Sequence, residues 1–116
     1  MSQTAPSPGL STDQIDWLMV TANCLLTQKY PERAAVLLEF LLCCEPENLR
    51  GQQMLGYCYY LSGRHEQALE LFKAVDPAFD SPVNMLLQAK TIAALGREDE
   101  AARIFDQFFG NRENAP

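Results

Sequence analysis

Side chains able to do chemistry are few in this chain of 116 residues, and their spacing argues against a reactive centre. Cys24, Cys43, Cys44, Cys58 and the single histidine, His65, are its cysteine and imidazole groups. Cys43 and Cys44 are adjacent, so on a helix they point about 100° apart and cannot grip a metal as a spaced pair does. His65 follows Gly63 in a turn and reads as a solvated turn residue without companion ligands. Cys24 and Cys58 are flanked by apolar residues and read as buried, reduced thiols acting as small hydrophobes. Asp99 and Glu100 fall in the first turn of a helix, where they complement its dipole rather than form an acid–base pair. The glycines are scattered as punctuation and form no phosphate loop. The expectation is a protein with no catalytic residue, no metal and no cofactor.

What must be positioned is therefore a surface, and the elements that position it are helices. In Leu49 to Lys73, Leu55, Gly56 and Tyr59 share one helical stripe, and Ala68, Leu69 and Phe72 share a second after a break at Ser62 and Gly63. Gly63 suits the left-handed residue that ends a helix, so the stretch reads as a helical hairpin. Gly56 and Ala68 stand where two antiparallel helices approach closely, with Tyr59 and Phe72 filling the space beside them. The hairpin recurs. Ala34, Ala68 and Ala101 lie 34 and 33 residues apart, followed by Leu38, Phe72 and Phe105, then Leu41, Val75 and Phe108. Ala22, Gly56 and Ala89 hold the small position of each first helix, Leu25, Tyr59 and Ile92 the large one, and Lys29, Gly63 and Gly96 the turn. This period and pattern resemble the tetratricopeptide repeat. The resemblance implies an all-α fold, a right-handed superhelix of three hairpins (an α-solenoid), with repeats at about 15–48, 49–81 and 82–110.

Taken in order, residues 1–11 read as a flexible tail, and Ser11 with Gln14 as a capping box. The repeat domain spans 12–110. Helix 1 is expected over Thr12 to Gln28, with Trp17, Leu18, Ala22 and Leu25 apolar at helical spacing. Pro31 opens helix 2, which runs to Cys44 and is apolar almost all round, implying burial on two sides. Helix 3 is expected from Pro46 or Glu47 to Leu61 and helix 4 from Glu66 to Ala74. Asp76 and Pro77 cut helix 4 short. Asp80 or Ser81 caps helix 5, whose first residue is Pro82 and which ends near Leu95. Helix 6 is expected over Glu98 to Phe109, with Gly110 as its stop and 111–116 as a polar tail. Phe108 and Phe109 would lie where a further hairpin would dock, and form a second candidate interface.

Composition excludes several partners. Nine basic against fifteen acidic residues give a net charge of -6, unsuited to a nucleic-acid backbone or an anionic membrane. No apolar run is long enough to span a bilayer, and the N-terminus lacks the basic and apolar segments of a secretory signal. Reduced cysteines point to a cytoplasmic setting.

If the repeat resemblance holds, the first helices line an inner wall. Repeat one offers Asp16, Met19, Asn23 and Leu26; repeat two offers Arg50, Gln53, Tyr57 and Tyr60; repeat three offers Val83, Leu86, Lys90 and Ala93. Val20, Met54 and Leu87 lie beside them. Met and Tyr suit a surface that takes up peptide. Of the carboxylate clamp used by some members of this fold only Asn23 is matched, since Met19, Met54, Val83 and Leu87 replace its other residues.

A narrower resemblance rests on PERAAVLLEFLLCCEPENLRG, Pro31 to Gly51. It is similar to the YscY (SctY) group of bacterial type III secretion chaperones, small acidic proteins built of three such repeats. The similarity is good over helix 2 and the link after it and weak in the third repeat. It implies a cytoplasmic chaperone that binds a small secreted subunit of the YscX (SctX) kind as a one-to-one heterodimer and contacts the export-gate protein. Two other readings stand beside it: a chaperone for a translocator or needle subunit, and a general protein-interaction adaptor or self-associating scaffold.

Overall fold

The computed structural model describes residues 9–75 and 82–107. It contains six helices: α1 (Thr12–Thr27), α2 (Pro31–Cys44), α3 (Leu49–Leu61), α4 (His65–Lys73), α5 (Pro82–Ala94) and α6 (Glu98–Phe105). Each helix packs on its chain neighbour, so three hairpins stack in sequence with no strand among the described residues. The fold is an α-solenoid of helix hairpins.

Local chemistry sets the helix ends. Ser11 Oγ accepts from the Gln14 amide while Gln14 Oε1 accepts from the Ser11 amide, completing the expected capping box. Asn48 Oδ1 accepts from the Gly51 amide and caps α3, so that helix starts at Leu49, later than the sequence suggested. The asparagine competes for the first free amide and leaves Pro46 and Glu47 in the link. Turns within the hairpins place Lys29, Gly63 and Gly96 at φ 70, 83 and 86, so the turn position is left-handed in all three copies.

Packing inside the hairpins follows the small and large positions read from the repeat. Ala22, Ala34, Leu38, Ala68, Phe72 and Ile92 are fully buried. A Cβ added at Gly56 would stand 2.6 Å from Cε1 of Phe72, so α3 and α4 are in contact backbone to ring. Tyr59 is buried beside them; its hydroxyl donates to Glu39 on α2, and the Arg64 guanidinium lies 4.7 Å above its ring. At the end of α4 the Phe72 carbonyl accepts from the Val75 amide (3.4 Å), from Nδ2 of the buried Asn84 (3.2 Å) and from Nε2 of Gln88 (3.5 Å), tying the second hairpin to the third.

Sequence expectations are corrected at Cys24, Trp17, Val36 with Phe40, His65 and Phe105. Cys24 is exposed, whereas its repeat equivalents Cys58 and Thr91 are fully buried. Those two face the preceding hairpin, and among the described residues no helix precedes α1. Trp17 is 61% exposed for the same reason. Helix α2 is covered on two sides, by α1 and α3, as expected, but its apolar residues are not buried all round: Val36 and Phe40 are exposed on its outer stripe. His65 is not in the turn: it is the first residue of α4, half-buried, with its ring 5.4 Å from that of Tyr60. Phe105 at 47% exposure departs from its buried equivalents Leu38 and Phe72. Phe108, Phe109, the cap expected at Asp80 or Ser81 and the stop at Gly110 lie outside the described residues.

Candidate functional site

The stacking of α1, α3 and α5 creates a groove of about 470 Å3 across all three hairpins. Met19, Asn23, Leu26 and Thr27 come from α1; Arg50, Gln53, Met54 and Tyr57 from α3; Val83 and Leu87 from α5. The helical repeat explains the grouping. On α1, residues 19, 23 and 26 fall within one narrow sector, since about 3.6 residues make a turn. Leu18, Ala22 and Leu25 point into the hairpin interior on another sector. Met19 is the groove floor, buried at 9% exposure, while Tyr57 and Val83 stand out from its walls at 37% and 56%.

Nine of the fifteen wall residues named from the sequence surround one cavity. Asp16 and Val20 do not line it, and Tyr60, Leu86, Lys90 and Ala93 lie to one side. Leu86 and Lys90 line a neighbouring recess of about 400 Å3 floored by Ala89, Ala93, Ala101 and Ala102. Tyr60 stands between the two: its ring stacks on Tyr57, 6.5 Å between centroids and 14° between planes, and Lys90 Nζ lies 5.7 Å from its centre. Such cation–π contacts are worth about 0.5–1 kcal/mol at exposed sites, enough to hold one rotamer. Thr27 was not anticipated. Its hydroxyl donates to the Asn23 carbonyl (3.0 Å), and the residue lines the groove. Its place beside Leu26 was the one available signal.

The chemistry of the groove is that of a binding surface. Among the described residues six lining side chains are apolar, three are neutral polar, and Arg50 is the one charged group. A cleft of this size and character is suited to apolar side chains of a partner, oriented by a few polar contacts. Titratable groups with displaced pKa values lie behind it. Burial pushes the Cys58 thiol up to about 12, with Glu39 adding to the effect. Tyr59 also rises to about 12, through burial first and then its hydrogen bond to Glu39. Both are held neutral, which suits packing and not nucleophilic attack. Among the described residues no three His, Cys, Asp or Glu side chains gather as a metal would need, and no helix is long and apolar enough to cross a membrane.

A family model described as "Anaphase-promoting complex, cyclosome, subunit 3" matches residues 32–108. No curated protein matches the chain, and no solved structure does.

Proposed function

The chain belongs to the family described as anaphase-promoting complex, cyclosome, subunit 3 and is a tetratricopeptide-repeat protein; from that premise we propose that it is a non-catalytic adaptor whose groove shelters an apolar segment of a client protein. The observation that carries this reading is the groove itself: Met19, Leu26, Met54, Tyr57, Val83 and Leu87 from three hairpins around one opening. Met19, Leu26, Met54 and Leu87 back onto the core, and Tyr57 and Val83 stand out from it at 37% and 56% exposure, so the opening offers apolar surface to a partner.

The client class follows from the Pro31 to Gly51 string. Its similarity to the YscY (SctY) group favours a cytoplasmic type III secretion chaperone, holding a small secreted subunit of the YscX (SctX) kind one-to-one and presenting it to the export gate. Physically, an export client must stay incompletely folded before secretion, and its apolar helices would aggregate unless covered. Burial of one such side chain is worth roughly 1.5–3 kcal/mol. A few in this groove would outweigh the ordering of the client segment.

The test is co-expression with the YscX-like candidate client. Wild type should yield a one-to-one complex. Tyr57→Asp with Val83→Asp, both on exposed groove walls, should abolish capture while the circular dichroism spectrum stays helical. Unaltered capture by the double variant would remove the groove from the mechanism. Capture of a translocator or needle subunit in place of the YscX-like protein would keep the groove and change the client.

A further inference from the structure

The first hairpin carries an apolar surface that the groove does not use. Trp17, Val20, Tyr30, Val36 and Phe40 are half of the ten large apolar side chains exposed among the described residues. Trp17 and Val20 share with Cys24 the sector of α1 that lies between its groove face and its outer face. Val36 and Phe40 form the outer stripe of α2, where the sister helices carry Glu70 and Ala74, and Arg103 and Gln107. The two stripes converge on a cleft of about 360 Å3 lined by Leu10, Asp13, Gln14, Trp17, Leu18 and Phe40.

The chain itself shows what this face of a first helix is for. In α3 the equivalents of Trp17 and Cys24 are Gly51 and Cys58, buried under α2; in α5 they are Asn84 and Thr91, buried against α4. The stacking interface made twice within the chain thus continues in register onto α1. One substitution changes its character. A Cβ on Gly51 would already lie 3.2 Å from Leu41 Cδ2, whereas α1 carries an indole at that place. A further hairpin stacked at the native spacing, or α6 of a second copy, would collide with Trp17. A second copy is also opposed by charge: α6 carries Glu98, Asp99 and Glu100 in its first turn, and the cleft end of α1 carries Asp13 and Asp16.

We infer that the Trp17–Phe40 face is a second docking surface, separate from the groove, for a partner helix with an apolar side flanked by lysine or arginine. Trp17 and Phe40 are the anchors, in keeping with the weight that aromatic residues carry at interfaces. Asp13 lines the cleft and favours a basic flank. Groove and end face occupy different sectors of α1, so one chain can hold a client and dock elsewhere at the same time.

Trp17 is the single tryptophan, so its fluorescence reports on this face alone. Two synthetic amphipathic helical peptides serve as probes, alike in their leucine face and flanked by lysines in one and glutamates in the other. Acrylamide quenching of Trp17 should be strong in the isolated chain and independent of protein concentration. It should fall several-fold with the lysine-flanked peptide and little with the glutamate-flanked one. Phe40→Glu should remove that protection, and Tyr57→Asp with Val83→Asp should keep it. Protection that grows with protein concentration would assign the face to a second copy and overturn the inference. So would weak quenching in the dilute chain, which would show the face already covered, or equal behaviour of the two peptides.

Discussion

The first and second hairpins hold the same repeat positions and bury them differently. Cys58 is fully buried and Cys24 exposed, 34 residues apart in register. Phe72 and its repeat equivalent Leu38 are both fully buried, whereas Phe40 lies on the outer stripe of the first hairpin, half open to solvent. Cys24 and Cys58 are the same residue type, so hydrophobicity did not decide the outcome; the presence of a covering helix did. An inner hairpin spends its apolar surface on stability, and an end hairpin keeps surface that can be spent on binding.

The sharpest way to break this comparison is to truncate one aromatic from each side. Phe72→Ala should cost about 3–5 kcal/mol, as expected for a buried aromatic, and bring a large fall in melting temperature. Phe40→Ala should stay within about 0.5 kcal/mol, the usual range for exposed sites. Equal losses in the two variants would mean that the Phe40 face is covered in solution.

A second test adds volume instead of removing it. Gly56→Ala places a methyl group against the Phe72 ring, and overpacking of this kind costs about 1–3 kcal/mol, offset in part by alanine's better helix propensity. The sister positions, Ala22 and Ala89, already hold a methyl group. Urea unfolding should therefore show a loss confined to the second hairpin's tighter contact.

The cysteine pair offers a third comparison. At pH 8 Cys24 should react with iodoacetamide quickly and Cys58 only on unfolding. The Cys58 and Tyr59 values both rise on folding, from 9.0 and 10.0 to about 12. Groups raised in this way contribute stability that is fully present below their unfolded values and lost as the pH climbs through the folded ones. Urea midpoints should accordingly be flat near neutrality and fall between about pH 9 and 12. A midpoint unchanged up to pH 12 would contradict the burial of both groups.

The smallest effect concerns the turns. Lys29 is left-handed like Gly63 and Gly96, at a steric cost of roughly 1–2 kcal/mol for a side-chain-bearing residue. Lys29→Gly should stabilise the first hairpin by up to about 1 kcal/mol, after the greater freedom of glycine in the unfolded chain is counted. Thermal melting of that variant against wild type resolves it.

Much of the architecture was legible in the residues. The alternation of small and large positions located the hairpin contacts at Ala34, Gly56, Ala68 and Phe72, and Ser11 with Gln14 announced the first cap. The inner-wall spacing named nine residues that converge on one cavity. Less legible was the splitting of that wall at Tyr60, since stacking on Tyr57 and the reach of Lys90 depend on side-chain packing between hairpins. Asn84 gave no signal either: its amide reaches the Phe72 carbonyl in the last turn of α4, a contact between hairpins. The periodicity and the punctuation were set by the chain alone, because a helix's stripes and ends depend on residues within a turn or two of each other. Which stripe became core, groove or open end face was decided by the tertiary structure, because burial depends on whether another helix is present to cover that stripe.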